Sequence, residues 1–428
     1  MKILWVKADK LLPVHSGGNI RSYNILRQLA ASHQVTYFSY YDGNPDLAYE
    51  TELARQLPGA EAVCTRKPEL SGLRRGLDYV SHLPYRAPYA ISRFASAPVR
   101  ERLTSWYAEK KFDVAVCDFL DAAVNFPDQL TVPTVLFQHN VECEIWRRHA
   151  ATEAQPLKRR MYGLEFRKML RYERDTVRKF QHVVAVSEHD RGLMGRWVDP
   201  ARITVVPTGV DLSQFHPAPN PPGGGRPVVA FVGAMDWEPN IDAAEYFCSE
   251  IWPKVLDRVP GAVFRLVGRN PDRRVKGLAG DSVEVTGRVP SVLEHLWQAA
   301  VVVVPLRIGG GTRLKIYEAM AAGRAVVSTT VGAEGLDVKH GEDLLLADDA
   351  GSFANSVSRL LTDQSLRHQY EQSAARSAAR HDWPAIGTCF AEVLSATVSQ
   401  ADASAGVTPR RAPVALPTHD GAGGRAAL

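Results

Sequence analysis

The sequence is poor in several features that would each define a class of protein. Its 428 residues include five cysteines, which are far apart and form no CxxC pair. This excludes a cysteine metal site and is typical of a reducing compartment. No run of about 18 apolar residues occurs, so no membrane-spanning helix is expected. The first ten residues, MKILWVKADK, lack the apolar region of a secretory signal, and we expect a cytoplasmic location. The net charge of +4 is small for this length and does not by itself indicate nucleic-acid binding.

Short apolar runs alternate with helical patterns in two separate series. The runs are rich in β-branched residues, as is typical of parallel strands that helices cover on both faces, and the alternation indicates βαβ units. The first series comprises residues 3–6, 35–40, 113–118, 134–138 and 182–187, and the second comprises 228–233, 263–268, 283–287, 301–306 and 325–330.

Residues 217–227, PAPNPPGGGRP, lie between the two series and contain five prolines and three glycines. This composition favours a linker. The sequence therefore predicts the α/β class, with two doubly wound, Rossmann-like domains that face a cleft. The first domain spans residues 1–206, the linker 207–227 and the second domain 228–380. Ligands in such sheets bind outside the carboxyl ends of the strands.

The segment IGGGTRLKIYEAM, residues 308–320, follows an apolar run and opens a helical pattern. Glycines in such a turn let a ligand approach the backbone, and the free N–H groups of a helix start favour an anion. Arg313 and Lys315 oppose the helix dipole by about 0.3–1 kcal/mol each. Charge-assisted hydrogen bonds to an anion, about 1.5–3 kcal/mol each, outweigh this cost. The turn residues predicted to meet the anion are Gly309, Gly310, Gly311 and Thr312.

Glu318 lies five residues beyond Arg313, about 7–8 Å along the helix axis. A carboxylate at that distance can accept hydrogen bonds from two ribose hydroxyls. The segment thus predicts a site for a diphosphate and a ribose, although neither a Walker A loop nor GxGxxG is present. The alternative is a plain glycine turn with two solvated cations and an exposed glutamate.

Residues 301–336, together with VVAVSEHDRGLM, ITVVPTGVDLSQFHP and FVGAMDWEPNIDAAEYF, resemble the retaining glycosyltransferases of the GT-B fold, family 4. The resemblance covers about residues 1–398. It implies that the segment HDWPAIGTCFAEVL, within residues 381–398, forms a final helix that crosses back to the first domain. Residues 399–428 then form a disordered tail. The variant resembles a subgroup associated with exopolysaccharide or capsule assembly.

The resemblance also assigns roles to single residues. Glu318 matches the second glutamate of the EX7E motif, which holds the ribose, and Arg313 and Lys315 would meet the diphosphate. Gly17 and Gly18 match the glycine loop near the donor phosphates, and His139 matches a histidine near the transferred sugar. For the two glycines and the histidine, a tight turn and a structural histidine are the alternatives.

Two departures from the family pattern affect the donor site. Gly310 stands where the first EX7E glutamate is expected. The stretch GAMDWEPNID lacks the usual arginine and lysine after the first strand of the second domain, and Arg313 and Lys315 are expected to compensate. Asp236 and Asn240 in this stretch are candidates for nucleotide or sugar contacts, or for a helix cap.

The expected activity is that of a hexosyltransferase that uses a UDP- or GDP-type sugar donor, with no cofactor and no metal. Departure of the nucleoside diphosphate develops negative charge, which Arg313 and Lys315 are placed to stabilise. The donor phosphate itself can take the acceptor's proton on the same face, which retains the anomeric configuration. A nucleotide-sugar 2-epimerase of the same build and a non-catalytic nucleotide-sugar-binding protein are the alternatives.

Residues 147–179 carry eleven lysines and arginines against four acids, a local net charge of 11 − 4 = +7. Aromatic and apolar residues interleave with them. Such a helix can lie on an anionic membrane surface and bring the enzyme to a lipid-linked acceptor at the inner face of the membrane. The alternative is a solvated basic face on a helix packed against the core. Nucleic acid is not expected, because no binding module accompanies the charge.

Overall fold

The computed structural model describes residues 1–14, 16–65, 72–218, 225–308 and 313–406. Within these ranges the chain forms two parallel sheets, each with its own hydrophobic core. This confirms the predicted α/β class and the two doubly wound units. Each predicted apolar run forms a strand, and β-branched residues fill these strands because helices cover both faces.

The first sheet has seven strands in the order β3-β2-β1-β4-β5-β6-β7, and every neighbouring pair is parallel. The strands are β1 (Lys2–Ala8), β2 (Gln34–Tyr41), β3 (Glu61–Cys64), β4 (Val114–Asp118), β5 (Thr134–Phe137), β6 (His182–Ala185) and β7 (Ile203–Val205). The helices of this half are α1 (Gly17–Ala30), α2 (Leu47–Gln56), α3 (Gly72–His82), α4 (Tyr89–Ser92), α5 (Ala97–Ala108), α6 (Glu142–Thr152), α7 (Pro156–Lys179) and α8 (Glu188–Met194).

The second sheet has six parallel strands in the order β10-β9-β8-β11-β12-β13. The strands are β8 (Val228–Val232), β9 (Val263–Val267), β10 (Val283–Gly287), β11 (Val301–Val304), β12 (Ala325–Ser328) and β13 (Leu345–Leu346). The helices are α9 (Glu238–Tyr246), α10 (Trp252–Leu256), α11 (Arg273–Lys276), α12 (Val292–Gln298), α13 (Leu314–Ala321), α14 (Ala350–Thr362), α15 (Gln364–Ala379) and α16 (Trp383–Gly406).

The strand order reverses beside the first strand of each sheet, between β1 and β4 and between β8 and β11. At such a switch point the loops diverge to opposite faces of the sheet and leave a crevice. The loops after these four strands therefore position the ligand site.

Helix α16 follows the second half in sequence but packs on the first. Its Phe390 ring lies 5.4 Å from the Trp5 ring, and a Cβ at Gly387 would lie 2.3 Å from Cβ of Gln28 on α1. The close approach of α16 to α1 therefore requires glycine at position 387. The helix continues to Gly406, eight residues beyond the predicted end at 398, so the tail is not disordered from residue 399 onward. Residues 407–428 of the predicted tail lie outside the described residues.

Candidate functional site

A cleft of about 550 Å³ lies at the carboxyl ends of both sheets, between the two halves of the chain. The segments that line it follow β1, β4 and β5 in the first sheet and β8, β9 and β11 in the second. Its lining residues are Ser16, Gly17, Gly18, Arg21, Phe119, His139, Asn140, Gly233, Ala234, Asp236, Trp237, Asn240, Arg269, Arg313, Leu314 and Lys315. The cleft therefore occupies both switch points at once.

The lining residues carry a strong excess of positive charge. Arg21, Arg269, Arg313 and Lys315 face the cleft, and Asp236 is the carboxylate among its described lining residues. Sequence reasoning found Arg313 and Lys315 but missed Arg21 and Arg269. These arginines belong to segments distant in sequence, and only the fold brings them to the cleft.

Lys315, on the first turn of α13, is held by polar and aromatic neighbours. Its Nζ donates a hydrogen bond to Oδ1 of Asn240 at 2.8 Å and lies 4.6 Å from the centre of the Phe231 ring. Burial lowers the pKa of Lys315 to about 7, and Arg313 adds to the effect. A Cβ at Gly233 would lie 2.8 Å from this Nζ, so the loop after β8 must be glycine there. The lysine thus occupies a narrow slot and is half-buried.

Arg313 immediately precedes α13 and is buried. Its guanidinium lies 5.6 Å from the centre of the Trp237 ring. Burial lowers the pKa of Arg313 to about 10, which leaves it charged at neutral pH, and Glu334 favours that charge. The structure brings both predicted cations to the cleft wall.

Glu318 lies further along α13 and is half-buried, outside the lining of this cleft. Burial raises the pKa of its carboxyl to about 7, while Lys315 opposes the rise. Within the described ranges its carboxylate accepts no hydrogen bond and forms no ion pair, so its oxygens are available to a ligand. The predicted turn residues Gly309, Gly310, Gly311 and Thr312 lie outside the described residues.

His139 follows β5 and lines the cleft on the opposite wall. Nη1 of Arg21 lies 2.7 Å from its Nδ1, and Oδ1 of Asp118 lies 2.7 Å from its Nε2. An arginine cannot accept, so Nδ1 accepts and Nε2–H donates to Asp118. Burial lowers the pKa of His139 to about 3, which makes it a neutral imidazole. Neither ring nitrogen is available to a substrate in this arrangement.

Asp118, at the end of β4, anchors this network. It is fully buried, accepts a hydrogen bond from Nε1 of Trp5 at 3.0 Å, and lies 3.4 Å from Nζ of Lys7. Burial opposes its ionisation, but Lys7 and His139 outweigh this and hold its pKa below the usual range. Sequence reasoning missed Asp118 because its partners are more than twenty residues away along the chain.

Gly17 and Gly18 open α1 at the edge of the cleft. A Cβ at Gly18 would lie 2.3 Å from Cζ of Phe119, whose ring stacks on His139 with centroids 3.6 Å apart. Phe119 has a φ of 71°, a strained value for a residue with a side chain. A Cβ at Gly17 would meet Cδ1 of Leu314 at 3.7 Å, an ordinary contact across the cleft. Gly18 is therefore required by packing, whereas Gly17 marks where the two walls meet.

Asp236 and Asn240 cap no helix. The residue before α9 is Trp237, and no side chain caps the helix. Asn240 instead donates through Nδ2 to the carbonyl of Ala234 at 2.8 Å and accepts from Lys315. The cap alternative is therefore wrong for both residues.

An ion pair joins the two halves at the rim of the cleft. Nη1 and Nη2 of Arg148, on α6, lie 3.0 and 2.6 Å from the two carboxylate oxygens of Glu334 in the second half. Burial opposes ionisation of Glu334, but Arg148 outweighs it and lowers the pKa of this carboxyl. One cation of the basic segment 147–179 thus links the two halves of the chain.

Two family models match the chain. The model for "Glycosyltransferase Family 4" matches residues 15–214, and that for "Glycosyl transferases group 1" matches residues 226–363. The chain belongs to the glycosyltransferases of the GT-B fold. Both matches include segments that line the cleft, so the glycosyltransferase domains meet at the site described above.

Two curated relatives of this glycosyltransferase are bacterial proteins. It is 31% identical over 206 residues to the phosphatidyl-myo-inositol mannosyltransferase of Mycolicibacterium smegmatis, a match that covers 46% of this chain and 52% of that protein. It is 22% identical over 375 residues to an uncharacterized 44.6 kDa protein in the cps region of Klebsiella pneumoniae, which covers 83% of this chain and 90% of that one. The glycosyltransferase therefore spans about half the length of the mannosyltransferase it matches.

Solved structures share the fold of this glycosyltransferase over nearly its whole length. Sucrose-phosphate synthase from Thermosynechococcus elongatus superposes with a TM-score of 0.70 at 18% identity, covering 94% of this chain and all of that one. Anabaena HepE in complex with UDP-glucose superposes with a TM-score of 0.63 at 15% identity, covering 92% and 100%. These likenesses agree with the two-sheet architecture.

Proposed function

We propose that the protein transfers a sugar from a nucleoside diphosphate sugar to a saccharide or lipid-linked acceptor, with retention of configuration, in the synthesis of a cell-surface polysaccharide. The observation that carries this proposal is the convergence of Arg313 and Lys315 from one half and Arg21 from the other on a single cleft. A diphosphate bound there neutralises cations that burial otherwise disfavours.

The leaving group explains why these cations matter. Cleavage of the glycosidic bond leaves the electron pair on the β-phosphate, and Lys315 and Arg313 stabilise the developing charge from fixed positions. The half-buried position of Lys315 strengthens this interaction. The cations interact more strongly with the transition state than with the bound substrate, because negative charge develops as the bond breaks. This difference lowers the barrier and accelerates the step.

The neutral His139 supports retention. A base that activates the acceptor from the opposite face would need a free lone pair, and both ring nitrogens of His139 are already bonded to Arg21 and Asp118. The donor phosphate then accepts the proton of the attacking hydroxyl on the face from which the leaving group departs. The new bond forms on that same face.

The class of donor and the pathway are inferred from the relatives and structural neighbours. UDP-glucose bound to HepE and the mannosyltransferase relative both support a hexose on a UDP- or GDP-type donor. The Klebsiella relative in the cps region supports a role in polysaccharide synthesis. A mannosyltransferase relative also favours transfer over the alternative of 2-epimerisation.

A nucleotide panel tests the donor site. The purified protein is expected to unfold at higher temperature with either uridine or guanosine diphosphate sugars, since ligand at 100 times its Kd adds about 2.7 kcal/mol. Replacing Glu318 with alanine removes hydrogen bonds from ribose to a charged group and should weaken nucleotide binding about 10- to 100-fold. Thermal unfolding and calorimetric titration measure both effects.

The control for this test is Glu250→Ala, an exposed glutamate outside the cleft, which should bind like the wild type. Release of nucleoside diphosphate that depends on an added acceptor separates transfer from epimerisation. Wild-type affinity in Glu318→Ala would contradict the ribose assignment, and no binding of any nucleotide would overturn the proposed function.

We also propose that the start of α7 binds an anionic membrane surface and so presents the cleft to a lipid-linked acceptor. Leu157 is 81% exposed, and Lys158, Arg159 and Arg160 follow it, all exposed. Other cations of the predicted basic segment serve the fold. Arg148 pairs with Glu334, Lys168 donates to the carbonyls of His82 and Leu83, and Lys179 donates to that of Phe126. Within the described ranges no helix combines the length and hydropathy needed to cross a bilayer.

Helix α3 extends this surface. Tyr79 on α3 donates to Glu165 of α7, and the carbonyl of Leu83, just after α3, accepts from Lys168 of α7, so the end of α3 lies near α7. Leu77 on α3 is 64% exposed. Apolar side chains beside a basic turn suit an anionic bilayer, where each cation near the surface contributes about 1 kcal/mol.

Charge reversal at Lys158, Arg159 and Arg160 to glutamate should lower binding to vesicles that contain phosphatidylglycerol by at least about tenfold. The same reversal at Lys254, Arg273 and Lys276, exposed cations of the second half, is the matched control. Sedimentation with phosphatidylcholine vesicles, with and without phosphatidylglycerol, measures the difference. Equal binding by both triple variants would contradict the surface.

A further inference from the structure

Trp237 is the large aromatic side chain among the described cleft-lining residues that solvent reaches most freely. It is 42% exposed and stands on the wall of the cleft, between β8 and α9. Tryptophan exposes this much apolar surface at a cost, because about 25 cal/mol is lost for each Å² left in water. A ligand that covers the ring would remove that cost.

The segment that carries Trp237 is held firmly. The N–H of Met235 donates to the carbonyl of Arg269 at 3.0 Å, and the N–H of Asp272 donates to the carbonyl of Met235 at 3.0 Å. The N–H of Trp237 donates to the carbonyl of Ala234. A ring on so well-bonded a loop is preorganised, so binding loses little conformational entropy.

The residue before Trp237 is a cleft-lining aspartate, Asp236. Oδ2 of Asp236 accepts from Nδ2 of Asn270 at 3.0 Å, which fixes its orientation. Within the described ranges, its Oδ1 has no hydrogen-bond partner. Asp236 and Trp237 are consecutive residues that line the same cleft, and a sugar ring can satisfy an exposed carboxylate oxygen and an aromatic ring together.

The chemistry of a hexose fits both groups. Its hydroxyls donate to a carboxylate, and its C–H bonds, which carry partial positive charge, favour the negative face of an aromatic ring. Asp236 itself favours a neutral group that carries hydroxyls over a phosphate, whereas the guanidinium of Arg313, 5.6 Å from the centre of the Trp237 ring, favours the phosphate. The pair therefore distinguishes a neutral ring from the anionic part of a donor.

The order of Arg313, Lys315 and Glu318 along the chain indicates which part of the donor lies at the Trp237 ring. The guanidinium of Arg313 lies over the Trp237 ring, and Lys315 and Glu318 follow further along the helix. With the ribose at Glu318 and the diphosphate at the two cations, the remaining part of the donor, its sugar, extends toward Trp237.

We propose that Trp237 and Asp236 form the subsite for the sugar ring of the donor, with the indole stacked on the C–H face and Asp236 accepting from hydroxyls. This rests on the proposed function and names two residues that recognise the sugar. It also supplies a carboxylate on the loop after β8, whereas the residue at position 310 of the sequence is glycine.

The test compares a nucleoside diphosphate with its sugar. Wild type, Trp237→Ala, Trp237→Phe and Asp236→Asn are titrated calorimetrically with UDP, UDP-glucose, GDP and GDP-mannose. Trp237→Ala should raise the Kd for the nucleotide sugar about 3- to 10-fold and leave that for the nucleoside diphosphate within about twofold. Trp237→Phe should retain most of the sugar contribution, and Asp236→Asn should reduce it.

Tyr85→Ala, which removes an exposed aromatic side chain outside the cleft, is the control and should change neither Kd. Equal losses for the nucleoside diphosphate and its sugar, or no loss for either, would overturn the subsite while leaving the proposed function standing. A wild type that binds none of the four would overturn the proposed function and the subsite with it.

Discussion

Replacing Lys315 with methionine is expected to lower kcat/KM for sugar transfer by about 10²- to 10³-fold, the cost of removing one preorganised charge-stabilising donor. The protein should remain folded, because methionine fills a similar volume beside Phe231. Its unfolding temperature at pH 7 should rise, since a lysine whose pKa burial lowers to about 7 opposes folding wherever it is charged. Transfer assays and thermal unfolding measure the two effects.

Arginine is not expected to rescue position 315. Asn240 accepts from the lysine Nζ at 2.8 Å, and the loop at Gly233 leaves no room for even one more carbon near that atom. A guanidinium needs more width than an ammonium. Lys276→Met, an exposed lysine on α11, is the matched control and should keep full activity. Activity near the wild-type value in Lys315→Met would remove this lysine from the mechanism.

The same lysine predicts the pH dependence of nucleotide binding. A diphosphate binds the protonated lysine, so this group contributes fully below pH 7, and affinity should fall as the pH rises above 7. The carboxyl of Glu318, with a pKa that burial raises to about 7, accepts ribose hydroxyls best when ionised, so affinity should also fall below pH 7. Affinity should therefore be greatest near pH 7, and the alkaline decline should vanish in Lys315→Met.

Asp118→Asn is expected to destabilise the first domain by about 3–5 kcal/mol and to reduce transfer as well, because it leaves buried charges without their partner. The amide oxygen can still accept from Trp5 or Lys7. Its NH2 group then faces the Nε2–H of His139, and two donors oppose each other. The imidazole cannot change tautomer to relieve this, since Arg21 already donates to Nδ1.

Asp113→Asn is the matched control for that prediction. Asp113 lies just before the same strand, is exposed, and accepts one hydrogen bond from the N–H of Lys2 at 2.7 Å. Its replacement should cost less than about 1 kcal/mol. Denaturant unfolding of both variants gives the comparison, and equal stabilities would refute the anchoring role of Asp118.

Burial explains which strands the sequence predicted and which it did not. Each long apolar run became a strand, because a strand that helices cover on both faces must be apolar along its whole length. The strands β3 and β13 carried no such signal. Strand β3, EAVC, lies at the edge of its sheet and is only half-buried, and β13 is two residues long.

The site divides in the same way. Local sequence placed Lys315 and Glu318 on one helix and Arg313 immediately before it, where spacing alone fixes their separation. The hydrogen-bond network on the opposite wall of the cleft could not be predicted from the sequence. Arg21 meets His139 across 118 positions of the chain, and Trp5 meets Asp118 across 113.

The sequence by itself determined the two α/β halves and the cations at the start of α13, because periodicity and local spacing carry that information. The tertiary structure decided which residues share the cleft, that His139 is neutral and bonded on both ring nitrogens, and that Trp237 stands exposed on the wall. These properties depend on contacts between distant segments and on burial, and neither exists until the chain has folded.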